Sequence, residues 1–595
     1  MKKYNNRSEV PEKYKWNLDE YYKSYEEFDK EYKKISSRLK ELDGYKGKLK
    51  DSKKLLDFIE KDMEISACIM NLDAYIQMKF DEELGKDESI TRQSKIVKLY
   101  NEYSDKASFF EPELLSFTEK EYKDLFKNKD LEKYRAFLDR IYRMKEHVLS
   151  EEKEIIVNRL SSAADNYHNI ANNILNNEND YGTVKVDNED ITIALTNLRV
   201  LLKNKDQNIR REVYTKFYNE VSKYSGTLAS LLSSYCTLND EIAKIHNYKN
   251  AWDRKLFGLN LSNKVFKTLV DTTEKNVDIL HKYYELKKNT LGLDKLNVYD
   301  LSVPLVSNDK EYTIEEAQNI CLEAVKPLGI DYYKHFEKIF NNSHIDYSQY
   351  KGKCSGGYCI STYDRDSRIL MSFIGDLSSV STIAHEGGHD VNHQYISENN
   401  DIIYRMIPNI MAEVMSLTNE CLLSDYLLKN GKTKEEKLSG IENIMKVIVS
   451  NLYGAVREGK IEQQMYEIIE SGSSLTKDNM KKLVSDSLDK YYGKYVVRDE
   501  LANLDWATRS HYYMNYYMYS YSICICVASN IAREIIRGNK EILDKYISFL
   551  KTGGNIWAYD AFKMLGVDLE DKKVYENAFK YFDELIEEFK KLSNN

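Results

Sequence analysis

Between Tyr25 and Leu42 the chain reads YEEFDKEYKKISSRLKEL, with Phe28, Tyr32, Ile35 and Leu39 three or four residues apart and charges between them. That spacing lines apolar side chains along one face of a helix. Amphipathic periodicity of this kind runs from Trp16 to about Leu175 and resumes in NIRREVYTKFYNEVSKYSGTLASLLSSYCTLNDEIAKIHNY. Between the two, NNENDYGTVKVDNEDIT combines turn residues with a short alternation, which predicts a brief hairpin. The pattern changes again over Lys351–Ser379, KGKCSGGYCISTYDRDSRILMSFIGDLSS, where a glycine-rich turn precedes the apolar run RILMSFI. That run predicts a strand ending at Gly375, after which Asp376 with Ser378 or Ser379 can cap the next helix. The strand has two readings: an edge to which an extended peptide adds, or a covered core strand. Beyond Pro408 helical periodicity continues. The expected fold is mostly α, with a small sheet in the middle.

Composition supports this reading. Only 5 prolines and 24 glycines punctuate 595 residues, so long helices are expected. Charged residues at 31% and apolar ones at 42% suit a folded globular chain. A net charge of −9 without a basic block argues against a nucleic-acid partner. No stretch of about 18 apolar residues predicts a membrane span, and the N-terminus lacks the apolar run of a signal peptide. Eight scattered cysteines form no disulfide framework, so ordinary thiols in a reducing cytoplasm are expected.

Chemistry concentrates in STIAHEGGHDVNHQY, Ser381–Tyr395. On a helix His385 and His389 share a face one turn apart and can present two imidazole nitrogens to one ion. Glu386 is rotated by about 100° and lies beside that ion, where it can take a proton from an attacking water. This is the HExxH arrangement of zinc peptidases. His393 continues the row, but each i+4 step advances about 6 Å, so three histidines in line cannot converge on one ion. A third ligand must come from elsewhere, commonly a carboxylate on a facing helix. Glu413 sits among Ile410, Met411, Ala412 and Val414, a costly setting for a lone carboxylate that a metal would offset. Glu420, two turns on, either orients a histidine or is a surface residue. Gly387 and Gly388 each cost about 1 kcal/mol inside a helix, which suggests a close approach to the backbone by another helix or by substrate. Further on, WATRSHYYMNYYMYSYSICICVASNIA reads as a helix. His511, Tyr516 and Tyr519 can lie there within one broad arc and donate to an oxyanion, while other tyrosines of the run fill a core.

HEGGH at 385–389, AEVMSLTNE at 412–420 and HYYMNYYMYSY from 511 resemble the oligoendopeptidase F family of thimet-oligopeptidase-like zinc metallopeptidases. WNLDEYY, LLKNKDQNIRREVYTKFY, KNAWDRKLFGLNLS and the segment leading into HEGGH follow in the same order, so the resemblance covers nearly the whole chain. It implies a multi-lobed helical metallopeptidase with a deep substrate channel and a small sheet near the active site. Residues 1–200 would form part of the channel wall and 201–595 the catalytic region. It also implies one zinc per chain on His385, His389 and Glu413, with Glu386 as general base. His511 and following tyrosines would be transition-state donors; Tyr516 and Tyr519 are assigned, with Tyr517 and Tyr521 competing for the same roles. The substrates implied are short oligopeptides, cut internally. Gly387 departs from the bulky apolar residue more usual in the family, and looser packing is expected there. Two other functions are weighed: a zinc carboxypeptidase, for which no dedicated basic residue stands out, and a non-catalytic peptide-binding scaffold, against which the intact His385/Glu386/His389 set speaks.

Overall fold

The structure, a computed structural model, describes residues 4–161, 165–307, 310–341 and 343–594. Residues 162–164, inside the periodic stretch that ends near Leu175, lie outside the described residues. The described residues are mainly helical, with short strands in one two-stranded and one three-stranded sheet, as the mostly α pattern predicts. The chain divides into two compact units, each built from three segments. One comprises Met1–Glu146, Asp309–Tyr426 and Ile531–Gly566; the other comprises His147–Asn308, Leu427–Asn530 and Val567–Asn595.

The unit that begins at His147 contains the predicted hairpin, β1 (Thr183–Val186) paired antiparallel with β2 (Glu189–Thr192). Asp187 and Asn188 close it at φ 49° and 70°, a left-handed conformation that these two residue types tolerate. The helix Gln207–Ile245 follows, capped by Asp206, whose carboxylate accepts the Asn208 N–H. Near its start the buried Arg210 pairs with Asp300 at 2.7 Å and donates to the carbonyls of Asn204 and Lys205. A charge removed from water is held there only because its donors are used. The helix Lys572–Asn594 buries Tyr575, Phe579, Phe582, Ile586 and Phe589, a stripe at three- and four-residue spacing.

In the unit that begins at the N-terminus, the helices Ser52–Glu82 and Asp87–Ala107 are joined by four residues. Phe28, Ile35, Phe58, Ile69, Ile76 and Leu99 belong to one buried cluster, which also contains Leu370 from the small sheet. That sheet consists of β3 (Ile345–Ser348), β4 (Tyr358–Ile360) and β5 (Arg368–Phe373) in the order β3-β5-β4. β5 runs parallel to β3 and antiparallel to β4. The run RILMSFI is therefore the central strand, which corrects the edge reading: both of its sides are paired, and Ile369, Leu370 and Met371 are fully buried. The outer strand next to it is β4. Lys353, itself buried, ties the sheet together: Nζ pairs with Asp346 at 2.6 Å and donates to the carbonyls of Asp346, Ser348 and Met371.

Candidate metal centre

Asp376 opens the helix Leu377–Asn399 by accepting the Ser379 N–H at 2.8 Å. Two turns in, His385 and His389 lie on one face with ring centroids 5.1 Å apart. Their Nε2 atoms stand 3.3 and 3.6 Å from Glu413 Oε2. Donor atoms of the three residues all lie within 4.8 Å of one another, and each side chain is partly exposed. Ligands held tetrahedrally at about 2.1 Å from one ion lie about 3.4 Å apart, so this donor set fits a zinc-sized cation. Burial disfavours the ionised form of Glu413, but hydrogen bonds from His385 and His389 hold its carboxyl well below the usual range. Glu413 does not lie inside a continuous helix, as its periodic surroundings predict. It occupies the break between Asn409–Ala412 and Val414–Asn430, at φ −94° and ψ 0°. His393 is not part of the group.

The two glycines explain how Glu413 comes so close. A Cβ at Gly388 would lie 2.8 Å from Ser416 Cα and 2.9 Å from Met415 O, so the backbone of the carboxylate-bearing helix packs directly on the histidine helix. At Gly387 the obstacle is Phe336, whose Cε2 would be 2.5 Å from an added Cβ. Phe336 is fully buried and fills that space, which corrects the expectation of looser packing. For Gly388→Ala, helix propensity would gain about 1 kcal/mol. Overpacking against backbone costs about 1–3 kcal/mol and cannot be relieved by turning a side chain. The expected result is a lower Tm together with weaker metal binding; a variant matching the parent in both would contradict the packing account.

Around this group lies a buried support. Glu420 accepts from His385 Nδ1 at 2.8 Å and from Ser381 Oγ at 3.0 Å, which leaves Nε2 of His385 facing Glu413. It is 7% exposed, so the surface reading of Glu420 is set aside. Ser416 Oγ donates to Glu413 Oε2 at 2.9 Å. Asn419 donates to the carbonyl of Ala384 and accepts from Tyr332, tying the two helices together. Glu386 is largely buried, and that burial raises its pKa above the ordinary carboxylate value. A Cβ at Gly357, the residue before β4, would stand 3.5 Å from Glu386 Oε1.

The segment around His511, in the other unit, is not one helix. A short helical turn covers Ser510–Tyr513, Asn515 and Tyr516 are left-handed at φ 47° and 56°, and a regular helix begins only at Tyr519. The single arc expected of His511, Tyr516 and Tyr519 is thus broken. Tyr516 packs against Tyr466 and Trp252, Tyr519 against Trp252 and Phe266, and each is 1% exposed. The aromatic rings near His511 are Tyr517, at 6.1 Å between ring centroids, and Tyr521, at 6.4 Å. Tyr516 and Tyr519, expected as donors, are thus packed in an aromatic core. A left-handed tyrosine is strained; its N–H is held by Glu462 Oε1 at 2.6 Å.

Residues 200–581 match Peptidase family M3, and residues 113–180 match Oligopeptidase F. The chain belongs to peptidase family M3. It is an oligopeptide-cleaving metalloendopeptidase. Among its relatives, the group B oligopeptidase PepB of Streptococcus agalactiae is 28% identical over 593 residues, covering 99% of this chain and 98% of PepB. Oligopeptidase PepF of Bacillus subtilis is 28% identical over 98% of this chain and 88% of its own length. The crystal structure of oligoendopeptidase-F from Enterococcus faecium superposes with a TM-score of 0.73 at 25% identity, covering 96% of this chain and 99% of that one. A crystal structure from Chlamydophila abortus, at 24% identity and TM-score 0.89 over 99% of this chain and 100% of its own, shares the fold.

Of the two readings of Glu420, the one that orients a histidine is the one the structure shows, whereas several other supports of this M3 site were missed in the sequence. Ser416 follows Glu413 at i+3, a spacing that offered a usable signal. Phe336, Tyr332 and Gly357 come from distant segments and offered none. A second group, Glu20, His344 and Asp366, also brings donor atoms within 4.8 Å. There Arg368 pairs with Glu20 at 2.7 Å and Lys338 with Asp366 at 2.6 Å, so the peptidase balances those carboxylates without a metal.

Proposed function

We propose that this M3 peptidase is zinc-dependent and cuts internal bonds of short oligopeptides, holding one zinc per chain on His385, His389 and Glu413. The observation that carries the reading is the 3.3 and 3.6 Å approach of two imidazole nitrogens to one carboxylate oxygen. Bound zinc would supply a Lewis acid for the scissile carbonyl. Glu386 takes the proton of the attacking water and returns it to the leaving amine. Glu420 fixes the tautomer and orientation of His385, and Ser416 steadies Glu413. β4 is the outer strand of its sheet, and the backbone leading into it lies against Glu386. An extended peptide adding to β4 would bring its carbonyl past that carboxylate. Metal analysis tests the assignment: about one zinc per purified chain is expected, and a metal-free active enzyme would overturn it.

His511, with Tyr517 and Tyr521 in place of Tyr516 and Tyr519, is our choice of oxyanion donors; the family resemblance and the ring contacts with His511 support it. His511→Ala should lower kcat by about 10²–10³-fold with a smaller change in KM. Tyr517→Phe and Tyr521→Phe should lower kcat more than Tyr519→Phe does. Equal effects in all three tyrosine variants would return the register to an open question and contradict this choice. A division near residue 200, with the preceding helices limiting substrate size, remains part of the proposal, as does a cytoplasmic location suited to eight thiols.

A further inference from the structure

Past His389 the histidine helix borders a cavity of about 310 Å³ within the N-terminal unit. Its walls include Cys359, Thr362, Tyr363, His393, Ser397 and Arg405. Two rulers locate it. Along the helix, His393 lies one turn beyond His389 on a similar face, about 6 Å away. Along the sheet edge, Gly357 borders Glu386 and Cys359 comes two residues later, about 7 Å on. Helix and strand both pass the catalytic glutamate first and reach the cavity next. An extended peptide lying beside β4 would therefore meet the cavity two or three residues from its scissile bond.

Arg405 is what distinguishes this cavity. It is partly buried, and its side-chain hydrogen bond is to the sulfur of Met406 at 3.4 Å. Among the described residues no carboxylate faces it; burial lowers its pKa, opposed only by Tyr100. The Nδ1 of His393 is likewise buried without a partner. A half-desolvated guanidinium with no counter-charge is costly, and a carboxylate delivered by a ligand would offset that cost through charge-assisted hydrogen bonds.

We infer that this cavity is a substrate subsite, in which Arg405 receives the carboxylate of a Glu or Asp side chain two or three residues from the bond that is cut. The inference rests on the peptidase reading of the neighbouring His385, Glu386 and His389. It makes the enzyme selective for acidic peptides at one position, with Arg405 setting that selectivity.

The test uses peptides of about ten residues, blocked at both ends so that no terminal carboxylate contributes. They form a series with Glu or Gln at each position around the cut. For the unmodified enzyme the ratio of kcat/KM for Glu over Gln should reach about tenfold at one position, two or three residues from the scissile bond, and stay near one elsewhere. Arg405→Gln should bring that ratio to about one, and Arg405→Lys should keep its sign. Arg405→Glu should favour Lys over Glu at the same position. Because each ratio is taken within one variant, loss of folded protein cancels. A Glu/Gln ratio near one at every position, or a preference that survives Arg405→Gln, overturns the subsite and leaves the peptidase reading intact. Failure of the unmodified enzyme to cut any peptide of the series overturns both.

Discussion

Replacing Glu386 by Gln is expected to lower kcat by about 10²–10⁴-fold while leaving fold and metal content unchanged. The amide occupies nearly the same volume, so the packing of Glu386 between the histidine helix and the segment before β4 survives. What it loses is the ability to accept a proton from water. The carboxylate is largely buried, and that burial raises its pKa, which strengthens it as a base. It also sits within 3.5 Å of where a Cβ of Gly357 would be, beside the outer strand. A peptide carbonyl carried along that strand would meet it. Retention of metal with loss of turnover is the signature of a proton acceptor; near-normal kcat in the variant would remove Glu386 from the reaction.

Removing a ligand should act differently. His389→Ala and Glu413→Ala each delete one of three donors whose atoms lie within 4.8 Å, and both variants are expected to lose metal as well as activity. Glu420→Gln makes the graded comparison. It leaves all three donors in place but weakens the hydrogen bond to His385 Nδ1, and an effect of about 10–100-fold on metal affinity is expected. The order of metal affinity should be parent, then Glu420→Gln, then the two ligand variants. Full stoichiometric metal in both His389→Ala and Glu413→Ala would defeat the ligand assignment, whatever their activity.

What the sequence disclosed was mostly local. The cap at Asp376, the i, i+4 histidines and the hairpin around Asp187 depend on neighbours in the chain, and pattern finds them. Glu420 was visible as a candidate partner of a histidine, but pattern alone left it level with a surface glutamate, because the choice depends on how two helices pack. The position of RILMSFI in its sheet was not legible, since strand order is set by pairing with residues 8 to 25 positions earlier in the chain. One sign was present: Ile369, Leu370 and Met371 are consecutive apolar residues without alternation, as suits a strand covered on both faces. The tyrosine geometry was hidden for a different reason. Asn515 and Tyr516 turn left-handed and reset the helical phase, so counting in steps of 3.6 from His511 selects rings that are buried and not the two rings beside His511. Gly387 misled because the residue that fills its space, Phe336, lies 51 positions earlier in the chain.

The most direct test of the central claim is incubation of the purified protein with an internally quenched peptide of about ten residues, with and without chelator, followed by mass mapping of the products. The account predicts cleavage at an internal bond, lost on chelation and restored by adding back about one equivalent of zinc per chain. Cleavage that persists in chelator, or release of terminal residues only, would contradict it.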